Sequence, residues 1–329
     1  MPRLVLAACL VLVGAGVPAG WSREPARLEK GTVRFQPVGD QANIPERYRL
    51  APNHFDFEMD LKNDLATIGV EVFRLRFPSP VVTEHKENNT VHAEYYRPKT
   101  EGPFPCVIVL DITGGDQSVS RTISTQLAQN KIAALFVQMA YYGPRRPPGS
   151  NLKLLSTSYN HTMAAIRQTV LDLRRATAWM ESRPEIDSRR LGILGTSLGS
   201  FIGTLTAEME PKLARVAVLL GGGGLVEAYY NDPRAASIRK AWEATGGTKA
   251  GLARAIAPAD PLTCAANLKD RKVLILAAKR DDIVPPQMAE ALWKATGQQK
   301  IVWFDCTHYG AVVHFPAAME HIVAHFGAK

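Results

Sequence analysis

Cysteine is scarce in this sequence, with 4 in 329 residues. That excludes a small scaffold stapled by disulfides, which needs paired cysteines at short intervals. Cysteine and histidine nowhere fall at metal-ligand spacing. No phosphate-binding Walker loop and no dinucleotide fingerprint is present, so the sequence implies no metal and no organic cofactor. Internal repeats and low-complexity tracts are also missing. No apolar run reaches the roughly 20 residues that cross a bilayer as a helix. Basic residues outnumber acidic ones, 39 to 31, for a net charge of +8. They are dispersed, however, and the longest clusters are short, such as the pairs Arg145-Arg146, Arg174-Arg175 and Arg189-Arg190. No basic stripe interleaves with aromatics, which argues against nucleic acid as a partner. What remains is 46% hydrophobic and 21% charged residues, enough apolar sequence for a large globular core.

The longest apolar stretch lies at the start. Met1-Pro2-Arg3 carries one positive charge, Leu4 to Val17 is apolar or small, and Val17 and Ala19 stand at the −3 and −1 positions of a cut after Ala19. This is the pattern of a secretory signal peptide, so residues 1–19 are expected to be removed and the mature chain exported to the periplasm or beyond, without stable membrane insertion. Leu6-Ala7-Ala8-Cys9 has the form of a lipoprotein cleavage box, but only Leu4 to Ala8 precedes it as apolar sequence. The mature chain would keep Cys106, Cys264 and Cys306, an odd count that leaves at least one free thiol. A Cys264–Cys306 bridge is compatible with an oxidising compartment.

Residues 20–65 are polar and contain prolines, and read as an extended N-terminal arm on the main domain. The main domain is then 66–329. Val70 to Phe77 and Thr90 to Tyr96 are rich in β-formers. Cys106 to Leu110 is a continuous apolar run, as in a strand buried on both faces. Helical and strand patterns then alternate: helix at 118–130, strand at Ile132–Val137, helix at 159–182, strand at Leu191–Leu194, helix at 198–209, strand at Val216–Leu220, strand at Lys272–Ala277, helix at 286–296, strand at Ile301–Phe304 and helix at 316–326. Such alternation predicts an α/β fold with a mostly parallel central sheet and helices on both faces. Residues 140–158 and 221–258 break the alternation after a strand, where open α/β sheets bind ligands, and read as substrate-side insertions.

Gly195-Thr196-Ser197-Leu198-Gly199 joins a predicted strand to a predicted helix. A serine on so tight a turn projects its hydroxyl above the sheet, and the helix start behind it offers free N–H groups. A serine hydroxyl needs a base and an orienting acid to act as a nucleophile. Arg280-Asp281-Asp282-Ile283-Val284-Pro285-Pro286 follows a buried strand, and Cys306-Thr307-His308-Tyr309-Gly310 follows the last one. Both therefore reach the carboxyl edge where Ser197 stands. The order Ser, Asp, His is the one this nucleophile turn predicts.

With these residues in place the sequence resembles an α/β-hydrolase, close to the dienelactone hydrolase and acetyl-xylan-esterase-like branch, from about residue 66 to 327. The resemblance rests on Gly-Thr-Ser-Leu-Gly, Asp-Asp-Ile-Val-Pro-Pro, Thr-His-Tyr-Gly and Ala259-Asp260-Pro261. It implies Ser197 as nucleophile and Asp281 as acid, with Asp282 the alternative if the register slips by one. It implies His308 as base, His314 being six residues further on. The implied oxyanion donors are the backbone N–H groups of Leu198 and Thr113. Here the loop reads Asp111-Ile112-Thr113-Gly114-Gly115 where many relatives carry His-Gly, so Asp111 is a candidate for bonding loop amides instead. The implied activity is cofactor-free hydrolysis of a carboxylic ester, small or carbohydrate-linked. A peptidase or amidase, or a silent binding protein on the same fold, are the alternatives. Tyr141, Tyr142 and Arg145 follow a strand that ends beside the serine turn. They are expected to form an amphipathic wall and to pair with a substrate carboxylate; the competing reading packs the tyrosines under the loop and leaves the arginines solvated.

Overall fold

The computed structural model describes residues 28–114 and 116–328. The signal-peptide segment lies outside them. Alternation of apolar and polar side chains builds the first strands: Val33 and Phe35 face inward from β1 (Glu29–Phe35), and Phe55, Phe57 and Met59 from β2 (Asn53–Leu65). β3 (Val70–Pro78) and β4 (Thr90–Pro98) continue the pattern. The next strands are apolar throughout: β5 (Phe104–Leu110) and β6 (Ala133–Val137) expose no residue. β7 (Ile186–Thr196), β8 (Arg215–Leu219), β9 (Lys272–Ala278) and β10 (Lys300–Phe304) complete one sheet in the order β1-β2-β3-β4-β6-β5-β7-β8-β9-β10.

The sheet has two halves. From β1 to β4, and on to the β4–β6 pair, neighbours are antiparallel. From β6 to β10 every pairing is parallel, as the alternation of strand and helix requires. Helices α2 (Tyr159–Glu181), α3 (Leu198–Met209) and α7 (Pro286–Ala295) cover one face, through Leu173, Trp179, Ile202, Leu205 and Leu292. α1 (Ser118–Gln129) and α8 (Phe315–Gly327) cover the other, through Ile123, Leu127, Met319, Ile322 and Phe326. This is the α/β-hydrolase architecture expected from the sequence.

Residues 29–65 depart from the expectation of an arm laid on the domain: they supply two strands of the same sheet. Trp179 of α2 binds them in, edge-on to Phe57 at 6.2 Å and to Tyr95 of β4 at 5.1 Å. Truncating this fully buried side chain to alanine would cost about 3–5 kcal/mol. The 221–258 segment forms three short helices, α4 (Leu225–Tyr229), α5 (Ala236–Ala244) and α6 (Lys249–Ile256). α5 and α6 bury no residue, so this insertion lies on the outside of the molecule. Cys264 and Cys306 are both free thiols rather than a bridge. Among the described residues no helix is long and apolar enough to cross a membrane.

Candidate active site

β7 ends at Thr196 and α3 begins at Leu198, leaving one residue to turn the chain. That residue is Ser197, at φ 51° and ψ −116°, a conformation costing about 1–3 kcal/mol for a residue with a Cβ. Two glycines let the turn close. A Cβ on Gly195 would stand 2.0 Å from the Gly199 carbonyl oxygen, and one on Gly199 would stand 2.5 Å from that of Asp111. The strained residue is then held by hydrogen bonds. Its N–H donates to the Leu219 carbonyl of β8 at 2.8 Å. Its carbonyl accepts from the Ser200 N–H at 2.9 Å and the Ser200 hydroxyl at 2.6 Å. The Ser197 side chain takes no part in capping α3, and Ser197 alone in residues 191–200 is not fully buried. Its hydroxyl is therefore free for another partner.

That partner comes from the loop after β10. His308 Nε2 lies 3.2 Å from Ser197 Oγ, and His308 Nδ1 lies 2.8 Å from Asp281 Oδ2. Asp281 sits in the turn after β9. Its other oxygen, Oδ1, accepts the N–H groups of Ile283 at 2.9 Å and Val284 at 2.7 Å. With one oxygen fixed by two amides, the second can point only at the imidazole. Nδ1 then donates to the carboxylate, which leaves Nε2 as the acceptor facing the serine. Asp282 is exposed, and it is not the carboxylate bonded to His308. His314 stacks on Phe304 at 5.1 Å instead.

Leu198 is the first residue of α3, where N–H groups have no intrahelical acceptor. Thr113 is exposed in the loop after β5. Neither N–H donates to a backbone carbonyl among the described residues. Asp111 takes the loop-bonding role: its carboxylate accepts the Ile112 N–H at 2.7 Å and, more loosely, the Ser120 N–H at 3.4 Å at the start of α1. Burial holds its carboxyl above the usual range.

The loop after β6 differs from expectation. Arg145 is neither on a substrate wall nor solvated: its side chain is 0% exposed. It donates to Asp172 of α2 at 2.7 Å and to the carbonyls of Asn88 at 2.9 Å and Gln138 at 3.0 Å. An arginine so engaged has no charge to offer a substrate. Tyr141 is buried against the rings of His85 and His161, at 5.8 and 4.6 Å. The tyrosine thus packs under the loop, as the competing reading had it. Tyr142 is buried too, with its phenol beside Gly114 of the loop after β5, and burial raises its pKa. One contributor carried no sequence signal. Tyr229 of α4 donates its hydroxyl to the Ile283 carbonyl at 2.7 Å, so the insertion grips the turn that holds Asp281. A cavity of about 370 Å³ opens between α4 and α7, lined by Gly224, Ala228, Leu262, Pro285 and Met288 among others; neither Ser197 nor His308 lines it. Among the described residues no cluster of three His, Cys, Asp or Glu is placed to hold a metal ion.

Comparison with known proteins bears on the fold and the family. Residues 52–230 match the family described as "Alpha/beta hydrolase domain containing 18", and residues 162–323 match the "Prolyl oligopeptidase family". Two uncharacterized proteins of Mycobacterium tuberculosis H37Rv are similar in sequence. Rv2627c is 29% identical over 44% of this chain, and Rv2307c is 22% identical over 67%. The chain spans about a third of the length of the first and 68% of the second. Among solved structures, an acetyl xylan esterase from Paenibacillus sp. R4 superposes with a TM-score of 0.65 at 18% identity, over 82% of this chain and 88% of that one. Acetyl xylan esterase 1 from Thermoanaerobacterium sp. JW/SL YS485 gives 0.62 at 18%, over 80% and 87%. A putative dienelactone hydrolase from Klebsiella pneumoniae gives 0.54 at 20%, over 79% and 99%. These likenesses are of fold. The first profile covers more than half of the sequence, and on that match this chain belongs to the alpha/beta hydrolase domain containing 18 family.

Proposed function

We propose that this protein is an exported serine hydrolase that cleaves carboxylic esters through an acyl-enzyme. The observation that carries the reading is the unbroken chain from Asp281 through His308 to Ser197 Oγ. His308 Nε2 takes the serine proton as Oγ attacks the acyl carbon. Asp281 holds the ring and stabilises the imidazolium, without itself taking the proton. The tetrahedral oxyanion meets the N–H groups of Leu198 and Thr113, each donor worth about 3 kcal/mol in the transition state. The intermediate collapses as the bond to the alcohol oxygen breaks and that oxygen takes the proton from Nε2. Water then attacks the acyl-enzyme, with Nε2 again accepting the proton, and releases the acid and free Ser197. The substrate is a small or carbohydrate-linked ester, and the sequence draws on no cofactor.

Labelling with a fluorophosphonate, followed by peptide mapping, tests the reading directly. Ser197 is expected to carry the label, and a panel of p-nitrophenyl esters is expected to be turned over. A protein that neither labels nor cleaves any ester is a silent binder and ends the proposal. The prolyl oligopeptidase match over residues 162–323 favours a second reading, cleavage of peptide bonds; turnover of a peptide p-nitroanilide faster than of any ester would select it. Export rests on residues 1–19. N-terminal sequencing of protein from its native host should begin near Gly20, and an intact Met1 on the mature protein would reject it.

A further inference from the structure

His308 is followed at once by a six-residue 3₁₀ helix, Tyr309–His314. Among the described residues, four large apolar side chains are more than 70% exposed, and three of them lie in this one turn: Tyr309 at 75%, Val312 at 72% and Val313 at 74%. Residues three apart eclipse one another on a 3₁₀ helix, so Tyr309 and Val312 share a face. The Tyr309 ring meets the His308 imidazole edge to face, with centroids 5.5 Å apart at 86°. The apolar surface therefore starts against His308 and runs outward into solvent.

These side chains lie largely outside the core. The turn is held by other atoms: Thr307 accepts the Gly310 N–H through its hydroxyl and the Ala311 N–H through its carbonyl, both at 3.1 Å. Below it, His314 stacks on Phe304. Apolar groups exposed together mark a contact surface. The chemistry of the site says what meets it. When the ester bond breaks, the alcohol oxygen takes its proton from His308 Nε2, so the alcohol portion of the substrate leaves on the side of His308.

We propose that Tyr309, Val312 and Val313 form the binding face for the alcohol portion of the substrate, and that this portion is apolar, an alkyl or arylalkyl group rather than a sugar. The assignment rests on the ester-hydrolase reading above. A sugar would need hydrogen-bonding partners beside the stacking ring. The flanking charged residues, Arg280 and Asp305, are paired with each other at 3.1 Å.

Three acetates keep the acyl group constant while the alcohol varies: ethyl acetate, 2-phenylethyl acetate and acetylated xylan. The two simple alcohols are similar as leaving groups, so the ratio of their kcat/KM values reads contact with the phenyl ring. The wild type is expected to prefer 2-phenylethyl over ethyl acetate by roughly tenfold or more. Tyr309→Ala should reduce that ratio about tenfold, and the double change Val312→Ser/Val313→Ser about threefold. All three positions are exposed, so the variants should fold, and fluorophosphonate labelling checks that Ser197 and His308 stay assembled. A ratio that neither variant moves overturns the proposal. So does a wild type that prefers acetylated xylan, or a wild-type dimer that the variants convert to monomer with the ratio unchanged, since the surface then serves self-association. Turnover of none of the three esters overturns it whether or not Ser197 labels; loss of labelling as well would sink the ester-hydrolase reading itself.

Discussion

Two buried carboxylates of this protein, Asp281 and Asp172, each bond a basic side chain, yet the two pairs differ in what the basic partner reaches. Asp172 spends one oxygen on the Ser79 hydroxyl at 2.6 Å and the other on Arg145 at 2.7 Å. Arg145 in turn donates to the Gln138 and Asn88 carbonyls through its two terminal nitrogens. Both side chains are 0% exposed, and the network ends on backbone. Asp281 is also tied down by backbone, through Ile283 and Val284, but its partner keeps an outlet. His308 turns its second nitrogen to a serine hydroxyl at the edge of the sheet. Burial and a short ion-pair distance are common to both. The difference is whether the basic partner has an unsatisfied acceptor that reaches a surface.

The comparison breaks most sharply at Ser197. Ser197→Ala is expected to lower kcat for an ester by about 10⁵-fold while leaving thermal stability within a degree or two. A variant within tenfold of wild type would remove the outlet from the argument. Next comes the choice between neighbouring acids. Asp281→Asn should cost about 10⁴-fold in kcat, whereas Asp282→Asn, on an exposed side chain, should cost less than threefold; steady-state kinetics on both variants decides the register. The Arg145–Asp172 pair should respond in the opposite currency. Arg145→Ala is expected to destabilise the fold by about 3–5 kcal/mol, because it strands a buried carboxylate. Denaturant melts would read that loss. KM for acidic and neutral esters should change equally, and a selective rise for acidic esters would return Arg145 to the substrate. The smallest effect sharpens the contrast. Tyr229→Phe removes one hydroxyl from the Ile283 carbonyl, a bond worth about 1 kcal/mol. It should lower kcat/KM by up to about fivefold, through a looser Asp281 turn, with a loss of stability no larger than about 1 kcal/mol.

Much of this was legible in the sequence, and the exceptions share a cause. β5 and β9 read as strands because both faces of them are covered by helices, which makes all of β5, and β9 after Lys272, apolar. The serine turn read clearly because its glycines answer local crowding, within five residues. β2 was missed although Phe55, Phe57 and Met59 alternate, since the acidic residues between them resemble an exposed arm. The burial of Arg145 had no local sign at all. It depends on Asn88, 57 residues earlier, and Asp172, 27 residues later, and an arginine in a proline-rich loop looks solvated until the distant partners are in place. Tyr229 was hidden for the same reason, its acceptor lying 54 residues away.

The spread of the three residues along the chain has a consequence for synthesis. Ser197 and His308 are 111 residues apart, and at 5–20 residues per second a ribosome takes roughly 6 to 22 s to cover that interval. Through that time the nascent chain can hold a finished serine turn, with β7 and α3 in place, and still have no base to deprotonate it. The hydroxyl gains one only when β10 docks on the outer edge of β9 and carries His308 across the sheet. Docking of the last strand therefore acts as a timer: Ser197 and His308 can meet only after β10 has joined the sheet.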